Sequence, residues 1–367
     1  HDFGVSEYPY KTVLKSKTSE SICTDLKKLG YSTHAVHNNE ATFYGRNTVF
    51  SNIGFDTFCS MEYMNGLTDS PNGWSNDDVL SREIMKTLDS TSGPDFTMAI
   101  TVQSHGKYDG IALDDPTIKV TGAPERKEQA YEYYVNEIHE VDRMIDTLIK
   151  ELSNRKEETV LVLYGDHLPS LDIQKDDLSN ANLYQTQYVV WDNMNLKKKT
   201  KNLHAYQLYA EFLDRIQIHE GMITKYHQQT KHRSKLYLTG LTTLSYDLLY
   251  GDNYAYDGEN PFKQTELQMG TEPVKLTSVQ KTKSGYRVVG SGFTPYCKVY
   301  YDGTLVESEW ISSGCLQLQD EFELDEADKK DSGEPETEVT EPRDVPNAFV
   351  VEVQSDDGVV LSSTQAY

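Results

Sequence analysis

The feature that most constrains this chain is a repeated pattern: a short apolar run followed at once by a polar cluster that contains histidine. Residues 33–36 end at His37, residues 96–102 end in Gln103, Ser104, His105 and Gly106, and residues 160–163 end in Tyr164, Gly165, Asp166, His167, Leu168 and Pro169. Between the second and third runs, apolar residues recur at Tyr131, Tyr134, Ile138, Val141, Ile145, Leu148 and Leu152, the three-and-four spacing of a long amphipathic helix over 126–154. Strand and helix patterns alternating in this way predict a layered α/β domain with a largely parallel sheet over residues 1–265. In open α/β sheets, ligands bind beyond the carboxyl ends of the strands, so the three polar tips are expected to converge.

Local signals fill in the rest of this layer. Thr18 and Ser19 are expected to cap a helix through Ile22, Leu26 and Leu29 that stops at Gly30. The run 96–102 is apolar enough to predict burial on both faces. A fourth strand at 188–191 and a helix at about 204–216 are expected to complete the domain. After Pro261 the texture changes to short β-like runs at 276–279, 286–289, 298–301, 315–318 and 348–353, which predicts a small Ig-like β-sandwich over 266–367. Residues 320–344 hold 12 acids against Lys329, Lys330 and Arg343, and read as a solvated acidic loop.

Composition narrows the function classes. The 367 residues carry 35 Lys and Arg against 58 Asp and Glu, a formal net charge of −23. Such a surface repels a phosphate backbone, so no nucleic-acid partner is expected, and an anionic ligand must be met by a local cationic patch. No apolar run approaches the roughly 20 residues a membrane-spanning helix needs. The four cysteines, Cys23, Cys59, Cys297 and Cys315, show no CxxC spacing, which leaves a zinc ribbon without support. Cys297 and Cys315 are candidates for pairing if the chain is exported.

Three groups of residues carry chemistry. Asp166 and His167 place a carboxylate and an imidazole on one tight turn, where both can ligate a divalent metal; the plainer alternative is a turn aspartate beside an exposed histidine. His105 is either a functional strand-tip histidine or a structural one. His37, Asn39, Tyr44 and Arg46 bring a hydrogen-bonding ring, an amide, an aromatic platform and a guanidinium within ten residues, which suits an anionic headgroup. The alternative there is that Phe43 and Tyr44 are core and Arg46 pairs with Asp56.

Taken in order, residues 26–31 (LKKLGY), 37–46 (HNNEATFYGR), 53–56 (IGFD), 104–106 (SHG) and 164–169 (YGDHLP) resemble the extracellular catalytic domain of lipoteichoic acid synthases, phosphoglycerol transferases of the alkaline phosphatase and sulfatase superfamily. The resemblance implies one divalent cation, usually manganese, with Asp166 and His167 among its ligands. It also implies a glycerol-phosphate pocket made by His37, Asn39, Tyr44, Arg46 and His105. Asn39 stands where an acid is commoner and Tyr44 where tryptophan is commoner. The family's nucleophilic threonine and a metal-binding glutamate lie upstream of the His37 group, so no catalytic nucleophile is assigned within these residues. Thr18 in Thr18-Ser19-Glu20 looks like that threonine but is read as a helix cap.

The reaction so implied takes glycerol phosphate from phosphatidylglycerol and passes it to a glycerol phosphate polymer. It would occur at the extracellular face of a Gram-positive cell membrane, anchored by upstream segments, and these residues alone are expected to lack turnover. Two other readings stand beside it. One is a non-catalytic module that holds polymer or lipid headgroups. The other is a sulfatase-type hydrolase, although the Cys or Ser in a Pro-Arg context that it needs is missing from the sequence.

Overall fold

The computed structural model describes residues 9–10, 12–123, 125–232, 234–283, 285–319 and 348–367. In chain order, α1 (Ile22–Lys27) leads to β1 (Ser32–His37), and α2 (Arg46–Asn52) to β2 (Thr57–Cys59). α3 (Val79–Asp89), β3 (Asp95–Ile100) and the long α4 (Glu125–Asn154) come next, then β4 (Val160–Tyr164) and β5 (Tyr188–Asp192). Three helices follow, α5 (Leu208–Arg215), α6 (Met222–Gln229) and α7 (Lys235–Leu249), and then β6 (Gln268–Met269). The remaining strands are β7 (Lys275–Thr282), β8 (Gly285–Ser291), β9 (Cys297–Tyr301), β10 (Thr304–Val306), β11 (Ser308–Ser312), β12 (Cys315–Leu318), β13 (Phe349–Gln354) and β14 (Val360–Ser363).

The first sheet is parallel throughout and runs β3-β1-β2-β6. Parallel strands need helical crossovers, and these crossovers cover the sheet with apolar side chains. α3 and α4 supply Leu80, Ile84, Met144, Leu148 and Leu152 to a buried cluster that also holds Ala35, Val36 and Phe58 from the sheet. Phe50 of α2 meets Phe55 and Phe58 edge-on at 5.2 and 4.8 Å between ring centroids, the favoured aromatic geometry.

Several local expectations are corrected. The cap of α1 is Ser21, whose hydroxyl accepts from the Thr24 amide while Thr24 reciprocates. Thr18 instead donates to the Phe262 carbonyl, and Leu29 lies beyond the helix and is 46% exposed. Among the described residues β4 does not join the parallel sheet: it pairs only with β5, antiparallel. β3 is half-buried rather than buried on both faces, because among the described residues one of its edges has no strand against it. α6 and α7 lie in a stretch for which no element was expected.

The carboxyl-terminal strands form two antiparallel four-stranded sheets, β10-β9-β13-β14 and β11-β12-β8-β7. Val299, Val351 and Val353 from one, with Val288, Leu316 and Leu318 from the other, share a single buried cluster with the first sheet's core. β6 (Gln268–Met269) pairs with β2, so the first sheet gains its edge strand just past residue 265. Cys297 and Cys315 lie on different sheets as free thiols, which removes the expected pairing; all four cysteines are free. The acidic stretch 320–344 lies outside the described residues.

Candidate active site

The carboxyl end of β1 places His37, and the turn after it places Asn39, Tyr44 and Arg46. His37 is 1% exposed, and its Nδ1 lies 2.8 Å from the Ile100 carbonyl of β3. A carbonyl only accepts, so Nδ1 bears the proton and Nε2 presents a lone pair. Nε2 is buried and has no partner among the described residues. Burial, aided by the Arg46 charge, pulls the imidazole down to about 3, so the ring is neutral at physiological pH.

Arg46 opens α2, with its guanidinium carbon 5.1 Å from the Phe43 ring centre and 5.6 Å from that of Tyr44. Among the described residues its buried Nη1 has no partner and Arg46 has no ion pair. Asp56 is engaged elsewhere, with Lys27 at 2.5 Å and the Thr33 amide at 2.9 Å. The alternative of an Arg46–Asp56 pair is therefore excluded, as is core placement for Phe43 and Tyr44, which are 38% and 49% exposed. Tyr44 adopts φ 61°, a left-handed conformation unusual for a bulky residue and concentrated at functional turns. Asn39 accepts the Glu40 amide through Oδ1.

Sequence reasoning did not single out the groups that fix these tips. The Asp77 carboxylate is buried and accepts from the Asn38 side chain and from the Val102 and Gln103 amides, which ties the end of β1 to the end of β3. Burial raises its pKa and those hydrogen bonds oppose the rise. Asn72 and Trp74 donate to the His105 and Gly106 carbonyls at 3.0 Å each, holding the tip after β3 in place. The only local sign was the Asn72-Gly73 turn pair. Tyr10, whose phenol burial pushes up to about 12, lies close enough to Arg46 to feel its charge.

His105, Asp166 and His167 sit on an open rim and are exposed. The His105 and His167 rings are 6.4 Å apart, so the β3 and β4 tips meet even though the strands do not pair. They meet closely: a Cβ added to Gly106 would stand 2.5 Å from Ser170 Oγ. His167 Nδ1 lies 2.8 Å from the Leu168 carbonyl, and its Nε2 lies 3.5 Å from Asp166 Oδ2. Two donors each about 2.1 Å from one tetrahedral metal stand about 3.4 Å apart, so this pair fits as two ligands of a divalent cation. Among the described residues no group of three His, Cys, Asp or Glu is gathered for a metal.

A family model described as Sulfatase matches residues 1–218. The chain is 28% identical over 251 residues to a Rhizobium meliloti protein named for cyclic beta-1,2-glucan modification, covering 59% of this chain and 39% of that one. It is 23% identical over 191 residues to lipoteichoic acid synthase 2 of Bacillus subtilis, covering 51% and 29%. With the lipoteichoic acid synthase of Staphylococcus saprophyticus it shares 22% over 169 residues, covering 45% and 26%. The chain thus spans two-fifths or less of the curated relatives it matches. Among solved structures, a Streptococcus pyogenes phosphoglycerol transferase, GacH, in complex with sn-glycerol-1-phosphate, superposes with TM-score 0.55 at 18% identity over 71% of this chain and 72% of that one, a likeness of fold.

Proposed function

This chain belongs to the sulfatase family, with its lipoteichoic acid synthase-like phosphoglycerol transferases, and from that premise we propose that its strand tips bind a glycerol phosphate headgroup for metal-dependent transfer. The observation that supports this is the pair of buried polar atoms without partners, His37 Nε2 and Arg46 Nη1, at one strand end. Burying such groups unpaired costs about 1–3 kcal/mol each, and a ligand that satisfies both recovers that cost. Their chemistry differs in a useful way. Arg46 donates and is cationic, so it suits phosphate oxygens. Neutral His37 accepts at Nε2, so it suits a hydroxyl and not a bare phosphate oxygen. A phosphate carrying an adjacent alcohol meets both requirements.

Tyr44 then offers its exposed ring to the carbon face of the glycerol, the Asn39 amide donates to an oxygen, and His105 lies on the side of the rim nearest the β4 tip. Asp166 and His167 hold the divalent cation, proposed to be manganese. When bound, the metal neutralises phosphoryl charge and activates an attacking oxygen. The donor is proposed to be phosphatidylglycerol and the acceptor a cell-envelope glycerol phosphate polymer, outside the membrane. No nucleophile is assigned among these residues, so headgroup binding is the property to assay. Calorimetric titration with sn-glycerol-1-phosphate in the presence of Mn²⁺ tests it. Arg46→Ala is expected to weaken binding by about 10- to 100-fold, the worth of a charged hydrogen bond; unchanged affinity would refute the assignment.

A further inference from the structure

Charge is unevenly spread along this chain. Residues 197–235 hold nine Lys and Arg against three acids, Glu211, Asp214 and Glu220, and so carry a formal +6 within a total of −23. The fold brings the ends of that stretch together: Lys199 and Lys201 line one cavity of about 420 Å³ with Lys231 and His232. Arg215 of α5 donates to the Lys197 carbonyl at 3.0 Å, which seats the basic loop on that helix. Lys199 and Lys201 share Glu211. Lys197, Lys198, Lys231 and Lys235 are exposed and, among the described residues, make no ion pair.

α7 begins at Lys235, at the edge of this cluster, and buries Tyr237, Leu241 and Leu248. Its outward side carries Leu236, Leu238, Thr239, Thr242, Thr243 and Tyr246, all exposed and none charged. Leu236 is 73% exposed, and among the described residues no aliphatic side chain is more so. The helix's other ionisable residue, Asp247, is spent on the Tyr254 and Ala255 amides at 3.0 and 2.9 Å. A water-facing helix surface is ordinarily charged, so this one suits a partner less polar than water.

We propose that α7 and the basic residues beside its start form a face that docks on an anionic lipid surface. A dissolved polyanion would use the lysines and leave the leucines in water. A neutral apolar partner would use the leucines and leave the lysines unmet. A negatively charged bilayer interface takes both: its headgroups attract the lysines, and the leucines and Tyr246 enter the boundary beneath them. The contact is peripheral, since among the described residues no helix is long and apolar enough to cross a membrane. With 15 residues α7 is about 22 Å long and lies along such a surface. This docking needs neither the headgroup pocket nor the metal pair, and its test leaves both aside.

Vesicle flotation tests it. Phosphatidylcholine vesicles with about one-third phosphatidylserine supply negative charge without a glycerol headgroup. The chain is expected to partition onto them at least about 10-fold more strongly than onto phosphatidylcholine alone, an excess that about 1 M salt removes. Leu236→Asp with Leu238→Asp, and separately Lys197→Glu with Lys198→Glu, are each expected to lower that partition at least about 10-fold, with unchanged circular dichroism reporting intact folding. Equal partition onto the two vesicles overturns the proposal. Partition that requires phosphatidylglycerol and fails with phosphatidylserine belongs to the headgroup pocket and overturns it as well. Loss in the lysine pair with full partition in the leucine pair assigns the face to a dissolved polyanion, and a parent dimer that the leucine pair makes monomeric assigns it to a second copy; either result overturns the lipid assignment. Loss of glycerol phosphate binding with vesicle partition intact would count against the strand-tip site and leave the docking face standing.

Discussion

His37 is buried next to a cation and is therefore held neutral, and the sign of its pH effect follows. Its folded value, about 3, lies below the ordinary 6.5, so its contribution to stability is complete above pH 6.5 and is lost as pH falls from 6.5 towards 3. Asp25 works in the opposite direction. Burial, with the charges of Glu20 and Glu220 added, raises its carboxyl from 3.8 to about 7, so its stability is complete below pH 3.8 and is lost as pH rises towards 7. Asp25→Asn keeps the Thr224 contact at 3.1 Å and cannot ionise. In urea melts it is expected to exceed the parent in stability at pH 8 and to match it near pH 4. A variant less stable at pH 8 would show that the charge is compensated. The placement of residues 37, 105, 166 and 167 at strand tips was legible because each follows an apolar run, and Arg46 drew notice only by standing within ten residues of His37. Asp77 was not, because its partners lie 25 to 39 residues away and nothing in the local sequence marks them.

At the scale of elements, periodicity located α4 to within a residue, since thirty residues supply many repeats of one pattern. Strand pairing was less legible because it is non-local. β4 and β3 read alike in sequence, yet one lies in the parallel sheet and the other outside it. Short helices depend on their ends, and α1, with six residues, depends on Ser21. Ser21→Ala removes the one hydroxyl that both accepts from the Thr24 amide and donates to the Ile53 carbonyl, and is expected to cost about 1–2 kcal/mol in urea unfolding. Thr18→Ala removes the bond donated to the Phe262 carbonyl and the exposed one accepted from Asn260, and is expected to cost about 1 kcal/mol. The reverse order would return the cap to Thr18. Gly221 makes a similar point: φ is +86° and a Cβ would stand within van der Waals distance of the Asp25 carboxylate, so Gly221→Ala is expected to destabilise by about 1–3 kcal/mol in the same melts.

Over the whole molecule, a net charge of −23 sets the electrostatic problem and the buried Arg46 is its local answer. The parallel sheet aligns β1 with β3, Asp77 locks their ends, and His105 carries the contact on to His167, so one edge of the fold holds the residues proposed for both the headgroup pocket and the metal pair. If those halves serve one ligand, metal and headgroup must bind with positive coupling, and the coupling must be reciprocal. The direct measurement is the affinity for sn-glycerol-1-phosphate with and without Mn²⁺, in the parent chain and in Asp166→Ala. The expected result is at least about 10-fold tighter binding with Mn²⁺ in the parent, near 1.4 kcal/mol of coupling, and no such gain in the variant. Glycerol phosphate affinity indifferent to Mn²⁺, or a gain that survives Asp166→Ala, would contradict a single shared site.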